Sequence, residues 1–192
     1  MKLSIQFAVA TLTILLITIA HQQAAQAADF DHSKFDQILK TYVDTEGRVD
    51  YNGIAADNTF REYMRSLENA KADALSRDGQ LAFWINAYNF LVLFYLEDYG
   101  FTPQDQQGYP LFGKKLTMAG EQLTLDELEK STPNHILKFM EPRTHFVLVF
   151  GAMGCPPLLN RAWRGKTLYK DLDEGTKTFL NDNEFNPIND TS

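Results

Sequence analysis

The chain has 192 residues, a single cysteine, and 18 Lys plus Arg against 25 Asp plus Glu, a formal net charge of -7. That balance argues against a basic stripe of the kind that holds phosphate backbones, so no nucleic-acid partner is expected. A lone cysteine also excludes an internal disulfide framework.

Residues 1–27 have the features of a secretory signal. Lys2 supplies a basic start, Leu3 to Ala20 an apolar run, and Ala25-Gln26-Ala27 a small-residue cleavage site ahead of Ala28. No cysteine lies near that site, so no lipid anchor is expected, and the product should be periplasmic or secreted. Without Lys2, 17 basic residues face 25 acidic ones, a charge of about -8. The remaining chain suits one globular domain over residues 28–182, with a polar tail at 183–192.

Phe30, Phe35, Ile38, Leu39 and Tyr42 recur at helical spacing and predict a helix from Asp31 to Asp44. Gly47 interrupts it, "RVDY" reads as a short extended piece, and a second helix is expected from Asn58 to Ala70 with Phe60, Tyr63, Met64 and Leu67 on one stripe. Ser76 should cap a third helix. This helix carries "QLAFWINAYNFLVLFYLEDYG", whose apolar run from Leu81 to Leu96 is shorter than the roughly 20 residues a bilayer needs and contains Asn86 and Asn89. Apolar almost all round, it predicts a central buried helix rather than a membrane span.

Gly100 to Tyr109 reads as an exposed loop, and "KKLTMAGEQLTL" as a hairpin turning at Ala119-Gly120. Thr124 and Glu127 match a capping box, Pro133 should end the helix that follows, and a second short helical piece should stop before Pro142. "HFVLVF", His145 to Phe150, predicts a strand buried on both faces. Leu168, Leu172, Phe179 and Leu180 mark a last helix to Asn181. The expected class is α+β, a helix-rich single domain with a central apolar helix and a small mixed sheet, with α/β as the alternative.

Several stretches in a fixed order carry a resemblance: "GRVDYNGIAAD", "LSRDGQLAFWINAYNFLVL", "LTLDELEK", "RTHFVLVFGAMGCPPLLNRAW" and "FLND". From about Gly47 to Asp182 the chain resembles the domain-of-unknown-function 547 family, and the resemblance implies no settled activity. Phe150 stands where similar sequences often hold a second cysteine, Lys130 where a His often follows the Leu-Glu pair, and "STPN" adds length. Relatives usually continue past "FLND" with further strand, which implies a shortened C-terminal edge open to association with another chain.

Cys155 sits in "FGAMGCPPLLN", a loop containing Gly151 and Gly154 that leaves the predicted strand. The following proline holds Cys155 extended, and Pro156 or Pro157 can open a helix to Trp163. That helix N-terminus would favour the thiolate, the form that attacks carbonyls. The opposing expectation is that Cys155 is a small buried hydrophobe.

A nucleophile needs a base, and the candidates are His135 and His145. His145 begins the strand that Cys155 follows, and that strand separates its ends by roughly 16 Å, so the loop would have to double back. His135 avoids that difficulty.

Asn86 and Asn89 share a helix face, with Trp84 and Tyr88 in the adjacent row. A buried amide must be answered by loop backbone, water or a ligand. The two therefore either clamp a neighbouring loop or donate to a developing oxyanion.

Asp171, Asp173 and Glu174 lie on an exposed helix face, no calcium loop or zinc spacing occurs, and no metal or other cofactor is expected. Two functions remain open. One is a thiol-dependent hydrolase or acyl transferase with Cys155 as nucleophile, His135 or His145 as base and Asn86 as oxyanion group. The other is a non-catalytic binding module for a small molecule or peptide, with Asn89, Tyr88, Trp84 and Gly154 around the ligand.

Overall fold

The computed structural model describes residues 29–99, 113–130, 136–151 and 155–182. The expected signal segment, the loop Gly100–Tyr109, Pro133, His135, Gly154 and the polar tail lie outside the described residues.

Helix α1, Ser33–Tyr42, buries Phe35, Ile38 and Leu39, the stripe that its spacing predicts. Val43 and Val49 then meet in an isolated antiparallel bridge, so only part of "RVDY" is extended. Tyr51 already opens α2, Tyr51–Ala56, because the Asp50 carboxylate accepts the Gly53 N–H (3.0 Å) and caps the turn. Asp57 does the same for α3, Asn58–Glu68, through the Thr59 N–H (2.8 Å). Phe60, Tyr63, Met64 and Leu67 are its buried face.

Helix α4, Arg77–Tyr99, is the axis of the molecule, 23 residues long and therefore about 34 Å. The Ser76 hydroxyl accepts the Gly79 N–H (3.0 Å) and starts it. Every residue from Leu81 to Leu93 is buried, so its apolar surface faces protein on all sides. Among the described residues no helix is long and apolar enough to cross a membrane. Against α4 the rings of Phe35 and Tyr63 stack at 5.1 Å, and Phe90 meets Tyr63 edge-on at 4.9 Å and Phe60 at 4.6 Å. Such pairs add about 1 kcal/mol each beyond their burial.

Strands β1, Leu116–Met118, and β2, Glu121–Leu123, pair antiparallel with Leu116 opposite Leu123. Ala119 and Gly120 turn the hairpin at φ 50° and 81°, the pair of positive angles that suits a right-twisted two-residue connection. Their N–H groups donate to Leu67 O (2.9 Å) and Glu68 O (3.0 Å), so the hairpin closes the C-terminal end of α3. Helix α5, Leu125–Lys130, starts in the expected capping box: Glu127 accepts the Thr124 N–H (2.9 Å) and the Thr124 hydroxyl accepts the Glu127 N–H (3.1 Å).

The class is α+β, with two corrections. The sheet of the described residues is purely antiparallel and two-stranded rather than mixed, and "HFVLVF" does not belong to it. Pro142–Phe146 is a 3₁₀ turn, capped by the Glu141 carboxylate on the Arg143 N–H (3.1 Å), and residues 148–150 are irregular, with no ladder partner among the described residues.

The last helix, α6, Leu168–Leu180, packs on that turn, where Arg143 bridges Glu141 (2.5 Å) and Asp173 (2.7 Å). Buried Asp36 ties α1 to the segment ahead of α6. It accepts the Ala162 N–H (3.0 Å) and pairs with Lys40 (2.6 Å) and Arg164 (3.3 Å). Burial opposes its ionisation, but those hydrogen bonds and charges outweigh it and hold the carboxyl below its ordinary value.

His32 is buried between Phe30 (4.9 Å) and Phe83 (6.2 Å), with Nδ1 2.6 Å from the Tyr63 hydroxyl and Nε2 without a partner. Burial, aided by Arg164 and opposed by Asp31 and Asp36, holds its pKa down to about 3. The unfolded chain takes up this proton below about pH 6.5 and the folded one does not. Stability is therefore full above that pH and falls as pH drops towards 3, by about 1.4 kcal/mol per unit. Urea melts at pH 6.5 and 5 should show that loss, and His32→Gln should flatten the profile in this window. Asp36 does not interfere there, because its ordinary pKa of 3.8 lies lower.

Candidate functional site

A cleft of about 260 Å³ runs along the second half of α4. Asn89, Val92, Leu93 and Leu96 form its floor, spaced to share one helix face. Val149, Gly151 and Cys155 to Leu158 form one wall, and Glu46 to Val49 with Tyr51 the other.

Gly47 brings the two walls together. Its φ is 78°, and a Cβ there would lie 2.7 Å from Pro157 Cβ and 2.9 Å from the Leu158 nitrogen. Only a residue without a side chain fits both the angle and the approach. The "GRVDY" and "CPPL" stretches, more than a hundred positions apart, thereby become the two faces of one groove.

Cys155 is buried in its wall, 6% exposed. The helix expected from Pro156 or Pro157 to Trp163 is absent; residues 156–163 are irregular. Pro157 pushes Pro156 out of the helical region, and neither ring nitrogen carries a hydrogen. The thiol is thus not at a helix N-terminus, and it does not lie beyond the end of a sheet strand either.

Both asparagines clamp backbone. Asn86 Nδ2 donates to Trp163 O (2.8 Å) and its Oδ1 accepts the Trp163 N–H (2.9 Å). Asn89 Nδ2 donates to Val147 O (3.1 Å) and its Oδ1 accepts the Val149 N–H (3.0 Å). The clamped segments are Trp163 and Val147 to Val149. Each amide replaces the strand neighbour that its segment lacks.

Of the other expected site residues, Trp84 and Tyr88 are buried in α4 but do not line the cleft. Burial, with Glu129, Cys155 and Asp126 nearby, drives the Tyr88 phenol far above its ordinary pKa and keeps it protonated. His145 is exposed on the Pro142–Phe146 turn, and no histidine is among the described lining residues. His135 and Gly154 lie outside the described residues.

The polar rim was not foreseen. Arg48 Nε pairs with Asp44 Oδ2 (2.7 Å) and Nη2 with Glu46 Oε2 (2.9 Å), while Asp44 Oδ1 also accepts the Glu46 and Arg48 N–H groups (3.0 and 2.9 Å). The Arg48 N–H bond, ahead of the charge of its guanidinium, lowers the Asp44 pKa. The quoted "GRVDY" stretch was the available signal for this wall. Asp171 and Glu174 pair with Arg161 (2.9 and 3.6 Å), and among the described residues no group of three His, Cys, Asp or Glu side chains forms a metal site.

These features define a class: an α+β protein whose buried central helix holds irregular chain with side-chain amides and leaves one of its faces as the floor of a cleft. The model of the family described as "Protein of unknown function, DUF547" matches residues 72–180, and the chain belongs to that family. No curated protein matches, and no solved structure does.

Replacing Asn86 with Ala leaves the Trp163 N–H and C=O buried and unpaired, at about 1 to 3 kcal/mol for each group. Denaturant unfolding of Asn86→Ala and Asn89→Ala should show losses of about 2 to 6 kcal/mol apiece. A neutral result at either position would refute the clamp.

Proposed function

We propose that this chain is an exported binding protein that takes a small molecule or the end of a peptide into the cleft beside Cys155. The observation that carries this reading is the cleft itself, in which one face of α4 opposes the Cys155 to Leu158 wall and the Gly47 loop. The commitment of Asn86 and Asn89 to backbone also favours binding over catalysis, since each amide already spends its oxygen and one of its two N–H groups there. Export rests on the signal-like residues 1–27. N-terminal sequencing of the protein recovered from outside the cytoplasm should begin at Ala28; recovery with residues 1–27 attached would count against it.

A second reading, thiol-dependent acyl transfer, is favoured by one fact: Cys155 lines the cleft and so borders any carbonyl bound there. In that chemistry the thiolate forms a thioester, the amine or alcohol leaves with a proton from the base, and water releases the acid. His135 is the candidate base. The exposed position of His145 counts against it.

Saturation-transfer NMR on a fragment mixture separates the two. Under the binding proposal, hits appear and vanish in Leu96→Trp, which fills the floor, while p-nitrophenyl acetate leaves no acetyl group on Cys155. An acetyl adduct that forms on Cys155 and then turns over would favour the second reading. Hits indifferent to Leu96→Trp would move the binding away from this cleft.

A further inference from the structure

Building on the cleft proposed above, we infer that its occupant is an uncharged aliphatic group of about ten non-hydrogen atoms or fewer. Volume sets the size: a cavity of about 150 Å³ holds benzene, so the 260 Å³ here suits a ligand only modestly larger. Val92, Leu93, Leu96, Val149, Pro156 and Leu158 supply a lining dominated by aliphatic carbon.

Charge sets the class. Glu46 and Arg48 are the charged residues among the described lining, and they are already joined at 2.9 Å, with Asp44 holding the other side of the guanidinium at 2.7 Å. A ligand carboxylate would compete with two carboxylates already on Arg48. A ligand ammonium would meet Arg48 beside Glu46. Either charge would also lose water against apolar walls, the costly direction of transfer. The Asn89 amide, 2% exposed, offers little compensation, because its oxygen and one of its two N–H groups are already bonded to Val149 and Val147. An apolar tail ending in an amide, ester or alcohol meets none of these penalties, and its polar end emerges at the Glu46–Arg48 rim or beside the thiol.

The test titrates the purified protein with hexanamide, hexanoate and hexylamine at neutral pH, read by saturation-transfer NMR. In parallel, protection of Cys155 against iodoacetamide is followed by mass spectrometry. Hexanamide should bind at least about tenfold more tightly than either charged analogue, as the desolvation of an ion demands. Arg48→Gln frees the Asp44 and Glu46 carboxylates and should raise the affinity for hexylamine relative to hexanamide. Arg48 is 74% exposed, so that variant should fold.

Hexanoate or hexylamine binding as tightly as hexanamide overturns the neutral class and leaves the cleft standing. Failure of all three probes while Leu96→Trp still abolishes fragment hits overturns the class as well. Failure of all three without any cleft-dependent hit overturns both this inference and the binding reading beneath it.

Discussion

Two side-chain amides hold this molecule in register. An almost entirely apolar helix at the centre of a protein offers no edge to which neighbouring backbone can hydrogen-bond, because its own N–H and C=O groups are used along its axis. Asn86 and Asn89 solve that problem by presenting one donor and one acceptor each to a segment that belongs to no sheet. An orphaned backbone pair at either place would cost several kcal/mol, a large part of a typical domain's net stability. The irregular segment after Phe146 and the approach to α6 are therefore placed by the helix rather than by each other.

The cleft is a by-product of that placement. Asn89 holds Val147 to Val149 against α4, so the chain continuing from Val149 must run beside the next turns of the same helix, where Val92, Leu93 and Leu96 lie. Gly47 closes the opposite side by letting its turn approach Pro157 without a side chain between them. Cys155 is thereby set into a wall, buried and bordering the cleft, with an Asp44, Glu46 and Arg48 cluster at the rim whose charges pair and leave one negative charge over. Placement and charge here favour the holding of an apolar group over the stabilisation of an anion.

Much of the framework could be read from residue types. Periodicity located α1, α3, α4 and α6, and local chemistry located the caps at Ser76 and Thr124 and the turn at Ala119-Gly120, because these depend on neighbours within a few positions. The two misreadings have separate causes. "HFVLVF" has the composition of a buried strand, yet burial constrains only polarity; its backbone partner is an amide from a helix, which no strand pattern encodes. The helix expected after Cys155 failed because two consecutive prolines favour extended chain more strongly than they favour a helix start.

The candidate site divides in the same way. The amino-acid sequence alone settled that the apolar helical run from Leu81 to Leu96 would be covered, that its two asparagines would need polar partners, and that Cys155 had no second cysteine with which to pair. Only the tertiary structure decided which backbone those asparagines hold, that His145 stands on the surface, and that Glu46 and Arg48 face Cys155 across a groove. The reason is physical. Burial and capping follow from the chemistry of a residue and its near neighbours, whereas the pairing of groups sixty to a hundred positions apart depends on where the packed helices leave room for the chain between them.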